Sequence, residues 1–178
     1  MEALTPKQLA DEGQAEYARG KYQSAARLYK AAADGFLAIG DEVTAAEMAN
    51  NRSVAFLQAG DAQSALQSVT GTELVFAAHG DRKRQAMAIG NQAAALEKLG
   101  RSDEAIRAYE KSAELFDSIG ETELRAYVCQ SISAMQLRRG QYLEAYASMR
   151  SGIKAVKEPN LTQRLLKTLI DIPFKFLK

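Results

Sequence analysis

Residues 37–42 read LAIGDE and residues 77–82 read AAHGDR, and a third Gly-Asp pair, Gly60-Asp61, falls halfway between. Extending that ruler in both directions finds Gly20, Gly40, Gly60, Gly80, Gly100, Gly120 and Gly140 among the chain's 12 glycines. Glycine can take the left-handed conformation just past a helix end without a Cβ clash. Aspartate directly after it can cap the next helix. Gly-Asp at 40, 60 and 80 therefore reads as a stop followed by a start. Gly100, Gly120 and Gly140 are followed by Arg101-Ser102, Glu121-Thr122 and Gln141. There the capping is expected to be weaker or displaced by one residue. Each block between glycines has room for a helix of about 16 residues, roughly 24 Å long. Of the 3 prolines, none lies between Pro6 and Pro159, so nothing in the blocks forbids helix.

The side chains repeat at twice that spacing. At intervals of 40, Ala25, Ala65, Ala105 and Ala145 form one column, and Gly13, Ser53, Ala93 and Ser133 another of small residues. Phe36, Phe76, Phe116 and Val156 form a bulky apolar column, and Tyr29, Val69, Tyr109 and Met149 a second large one. Small columns let paired helices approach, and large ones fill the space between pairs. The pattern predicts an all-α stack of four helical hairpins, each burying its apolar face on its neighbours.

The spacing small-x6-Gly-x4-Ala-x3-large-x2-small resembles the tetratricopeptide repeat (TPR). It reads Ala93, Gly100, Ala105, Tyr109, Ser112 in the third hairpin and Gly13, Gly20, Ala25, Tyr29, Ala32 in the first, with Tyr22 at an often aromatic position. The fourth gives Ser133, Gly140, Ala145, Met149, Gly152, with Tyr142. The second departs most, with Val69 and Thr72, and Gly71 should weaken its second helix by about 1 kcal/mol. The match covers residues 5 to 157. Its 40-residue period is similar to the lengthened repeats of kinesin light chains and bacterial peptide-sensing regulators. The resemblance implies a right-handed solenoid whose first helices line a concave inner wall. The expected organisation is a single domain over 1–178, with hairpins at about 5–40, 41–80, 81–120 and 121–157.

The ends carry their own signals. Thr5-Pro6-Lys7-Gln8 has a capping threonine, a first-turn proline and a glutamine at N3. Glu158-Pro159-Asn160 separates the fourth hairpin from a ninth helix expected over about 160–172, followed by a tail at 173–178. Leu161, Leu165, Leu166, Leu169, Ile170 and Ile172 give that helix a broad apolar stripe, with Phe174 and Phe176 beyond Pro173. The stripe, with the two phenylalanines, is expected to cap the open end of the stack or to form a homodimer surface. Arg164, Lys167, Lys175 and Lys178 would suit a membrane surface, but Asp171 among them argues against membrane contact.

Catalysis finds little support. The one histidine, His79, sits beside a turn glycine, and Cys129 falls in the apolar column of Leu9, Ala49 and Ile89. No cluster suited to a metal, no glycine-rich phosphate loop and no internal disulfide can be assembled. The chain is 47% apolar and 25% charged with a net charge of +1, so it lacks a basic field for nucleic acid. No secretory leader or membrane-spanning run is recognisable, and a cytoplasmic setting is expected. Neither enzymatic activity nor a cofactor is expected.

Binding is the better expectation, and the resemblance implies where. The wall would be lined by Lys7, Ala10, Asp11, Gln14 and Tyr17 from the first hairpin, and by Glu47, Asn50, Asn51, Val54 and Gln58 from the second. Met87, Asn91, Ala94, Glu97 and Lys98 would come from the third, and Tyr127, Gln130, Ser131, Ala134 and Arg138 from the fourth. Asn51 and Asn91 are 40 apart, and an amide offers both donors and an acceptor to a peptide main chain. The alternative is that these amides bond within the hairpins. Repeats that hold a chaperone's terminal carboxylate use cations where this chain has Ala10, Gln14, Asn51, Met87 and Asn91, so a roughly neutral peptide or helix is expected instead. The expected function is an adaptor binding a partner-protein segment; the alternative is an assembly module using the C-terminal helix, with the groove idle.

Overall fold

The computed structural model describes residues 4–154 and 156. Nine helices and no strands are found among them. They are α1 (Pro6–Ala18), α2 (Tyr22–Ala38), α3 (Glu42–Gln58), α4 (Ala62–Val69), α5 (Thr72–Ala78), α6 (Arg82–Lys98), α7 (Ser102–Ser118), α8 (Thr122–Arg138) and α9 (Tyr142–Lys154). The helix expected over 160–172 and the tail at 173–178 lie outside the described residues.

The ruler of glycines marks the turns. All seven have φ between +71° and +81°. At Gly40 the turn closes with Gly40 N–H donating to Leu37 O (3.0 Å) and Asp41 N–H to Phe36 O (2.9 Å). This double closure satisfies carbonyls that a helix end otherwise leaves open. The second of those bonds recurs at every turn, from Lys21, Asp61, Asp81, Arg101, Glu121 and Gln141. Because the backbone donates it, it forms whichever side chain follows the glycine.

Asp41, Asp61 and Asp81 cap as expected, accepting from Thr44 N–H (3.0 Å), Ser64 N–H (3.0 Å) and Arg84 N–H (2.9 Å). Those bonds hold all three carboxyls below the usual aspartate range. The displacement expected after Gly120 does not occur. Helix α8 starts at Thr122, the same distance from its glycine as the others, and Glu121 makes no side-chain cap. Thr5 and Gln8 form the reciprocal capping box, Gln8 N–H to Thr5 Oγ1 at 3.3 Å and Thr5 N–H to Gln8 Oε1 at 2.9 Å.

The chain divides into two compact units, Met1–Ala105 and Ile106–Lys178. In the first unit α1 pairs with α2, α2 packs along α3, and α6 packs on α3, α4 and α5. Gly13 lies against the Tyr29 ring, where an added Cβ would meet two ring carbons at 3.0 Å. Ala25, Ala26, Tyr29, Ala32, Met48 and Ala55 form one core cluster, and Ala46, Val69, Phe76 and Ala88 another. In the second unit α8 pairs with α9. Ser133 Oγ donates to Ala145 O at 2.8 Å across that pair.

The second hairpin departs from expectation. Instead of one weakened helix, its second arm is broken into α4 and α5. Thr70 is extended (ψ 125°) and Gly71 left-handed (φ +87°). Hydroxyls bond carbonyls at the break: Thr70 Oγ1 donates to Leu66 O at 2.7 Å beside its own N–H, and Thr72 Oγ1 donates to Val69 O at 2.8 Å. Val69 and Phe76, on either side of the break, both remain buried. Burial of these two side chains thus survives the loss of helical continuity.

Candidate functional site

In the first unit, α3 and α6 run side by side in the same direction. Arg84 Nη1 pairs with Glu47 Oε2 at 2.8 Å near their N-terminal ends, and Asn91 Nδ2 donates to Asn50 Oδ1 at 3.3 Å further along. Arg84 is held from behind by Asp81 Oδ2 (2.6 Å) and lies 5.5 Å over the Phe76 ring. Residues spaced four, three and four apart share one side of a helix. Glu47, Asn51, Val54 and Gln58 do so on α3, and Met87, Asn91, Ala94 and Lys98 on α6. Every one of these eight is partly or fully accessible, Met87 at 45%.

The two expected amide anchors are not alike. Asn91 gives its Nδ2 to Asn50, whereas the side-chain amide of the half-buried Asn51 has no hydrogen-bond partner among the described residues. One register back, the position that would answer Asn51 as Asn50 answers Asn91 is Ala10, which has no polar side chain. Asn50, placed by the resemblance on the wall, is turned inward at 8% exposure. Its Nδ2 donates to Ala46 O (3.1 Å) and to Thr72 Oγ1 (3.2 Å). A chain of hydrogen bonds, buried from Asn50 onward, therefore runs Asn91–Asn50–Thr72–Val69 O and ties α6 through α3 to the start of α5. Sequence reasoning missed Thr72 and Arg84 as contributors. The available signal was a hydroxyl at a position held by Ala32 in the first hairpin.

On α1, Lys7, Asp11 and Gln14 are exposed, Ala10 is half-buried, and Tyr17 packs edge-on to Tyr22 with ring centroids 5.3 Å apart. In the second unit, α8 carries Tyr127 (70% exposed), Gln130 and Arg138 at the surface, with Ser131 and Ala134 half-buried on the same side. Leu161, Leu165, Leu169, Ile172, Phe174 and Phe176 lie outside the described residues. Cys129 is buried, and burial pushes its thiol up, which suits a packing role. No group of three metal-ligating side chains and no helix long and apolar enough to cross a membrane occurs among the described residues.

Helices repeated in register, each offering an accessible mixed stripe, define a helical-repeat scaffold of the kind used for protein–protein interaction. Residues 12–170 match the family described as SNAP, soluble NSF attachment protein, and the chain belongs to that family. Its TPR-like helical repeats place it in the superfamily that the motif spacing resembles. No curated protein gives a significant match. Among solved structures, the crystal structure of MamA is similar over 80% of this chain and 93% of its own, at 18% identity and a TM-score of 0.51. At that identity the likeness concerns the fold.

Proposed function

We propose that this chain is an adaptor that holds a partner-protein segment along the stripe formed by α3 and α6. The observation that carries the reading is Asn51. It is an amide whose side chain has no polar partner among the described residues, on the same accessible side of α3 as Val54, and the register-equivalent side of α6 carries Met87 and Ala94. An unused amide can donate to and accept from a main chain, and the apolar neighbours supply contact area. The family description speaks of attachment to NSF, and an attachment role for this chain follows the same line.

The test is affinity capture from native lysate with the full chain and with the Asn51→Ala/Met87→Glu variant, followed by titration of the captured partner's segments. Both positions are accessible, so circular dichroism and the melting curve should be unchanged. Binding should weaken by about 1–3 kcal/mol, or roughly tenfold to a hundredfold. Equal affinity of the two proteins for the captured segment would overturn the reading.

A further inference from the structure

The starting edge of the first unit holds a cleft of about 650 Å³ between α1 and α2. Ala15 and Leu28 are apolar groups in its lining, with Glu12, Glu16, Arg19 and Arg27 around them. Forty residues on, the same positions are Ala55, Ser68, Arg52, Phe56, Ala59 and Gln67. There the α3 half of the edge is covered while Gln67 stays at the surface: α2 packs along α3, Ala55 is 0% exposed, and Phe56 packs against the cluster that includes Tyr29 and Ala32. The molecule thus shows what this surface accepts one register later, namely a helix with a small and aromatic face.

At the edge itself the charges are arranged differently from a neutral cap. Glu16 is occupied by Arg19 (2.8 Å) and Lys21 (3.6 Å). Glu12 on the α1 flank and Arg27 on the α2 flank are exposed and have no ionic partner among the described residues. One free acid and one free base therefore border a partly apolar floor from opposite helices. We propose that this edge is a second docking face, which takes an amphipathic helix of a partner protein bearing a basic side chain on the flank facing Glu12 and an acidic one on the flank facing Arg27. That occupant would lie against α1 as α2 lies against α3. The face is separate from the α3–α6 stripe and uses none of its residues.

Three synthetic helical peptides of α2's length test this against the full-length protein. They share one alanine and phenylalanine stripe; one carries lysine on one flank and glutamate on the other, one lysine on both, one glutamate on both. Amide resonances of Ala15, Arg27 and Leu28 should shift on titration, and the mixed-charge peptide should bind about tenfold tighter than either like-charged one. The variant Glu12→Arg should move the preference to the glutamate peptide, and Arg27→Glu to the lysine peptide. Both side chains are exposed, so both variants should keep the parent spectrum elsewhere. Absence of shifts at the edge, shifts confined to residues such as Asn51 and Met87, or a peptide ranking unchanged by both variants would overturn the proposal.

Discussion

The second and fourth hairpins carry the same register 80 residues apart, yet they solve helix pairing differently. In the fourth, α9 runs unbroken from Tyr142 through Gly152, and it lies so close to α8 that a Cβ on Gly152 would meet Cys129 Cβ at 2.7 Å and Ala126 Cα at 3.2 Å. In the second, the residue at the matching position is Thr72, a larger side chain. The chain breaks one residue earlier, at Gly71, and Thr72 starts a new helix with its hydroxyl bonded to Asn50 and Val69. In α9 the close approach to Cys129 and Ala126 leaves no room for a Cβ; the broken arm of the second hairpin admits a side chain and recruits it into a polar network. The small-residue column also differs. Ser133 Oγ donates to Ala145 O, while the fully buried Ser53 Oγ, its equivalent, has no hydrogen-bond partner among the described residues. Arg125 adds a clamp that the second hairpin lacks, bonding Asp117 Oδ1 (3.2 Å), Ser151 O (2.7 Å) and Ser151 Oγ (2.7 Å).

The largest effect is expected where no space exists. Gly152→Ala should cost about 2–3 kcal/mol in urea unfolding, because the added methyl meets a side chain and backbone of α8 rather than a flexible tip. A loss below about 0.5 kcal/mol would show that α9 can move away, and the contrast with Thr72 would fall. Next comes the polar network. Asn50→Ala leaves Thr72 and Asn91 without their partner and should cost about 1–3 kcal/mol. Hydrogen exchange should show α5 amides opening first, since the bond to Thr72 anchors that short helix.

The serine pair gives opposite signs. Ser133→Ala breaks a buried hydrogen bond and should destabilise by about 1 kcal/mol, whereas Ser53→Ala removes an unpaired buried hydroxyl and should be neutral or stabilising by a similar amount. Chemical denaturation of the two single variants side by side decides it; the same sign for both would place an unseen partner on Ser53.

The smallest effect separates helix starts with an aspartate cap from those without. Carboxyls of Asp41, Asp61 and Asp81 are lowered in the folded chain, chiefly by first-turn backbone N–H groups. The unfolded chain therefore binds protons more readily. The stabilisation is present above the unfolded aspartate value, about 3.9, and is lost as pH falls through the folded values. Asn at all three positions keeps a capping oxygen without the titration, and should flatten the fall in melting temperature on the acid side.

Much of the candidate site was legible in register but not in role. Asn51 and Asn91 are equivalent by position, and both lie on accessible stripes. Whether each amide is free depends on the residue across the helix interface, Ala10 in one case and Asn50 in the other, and that pairing belongs to tertiary contact. Asn50 could not be told from a wall residue by spacing, because its inward turn is decided by Thr72 from a different helix.

The amino-acid order alone set the all-helical class, the 40-residue period, the turn positions and the buried columns. These follow from local physics: glycine's access to positive φ, carboxylate capping, and apolar side chains repeating at helical spacing. Only the folded chain decided where a helix breaks, which amide is spent inside, and which serine finds a carbonyl. Each of those outcomes depends on which group of another helix packs opposite, and no residue encodes its neighbour by itself.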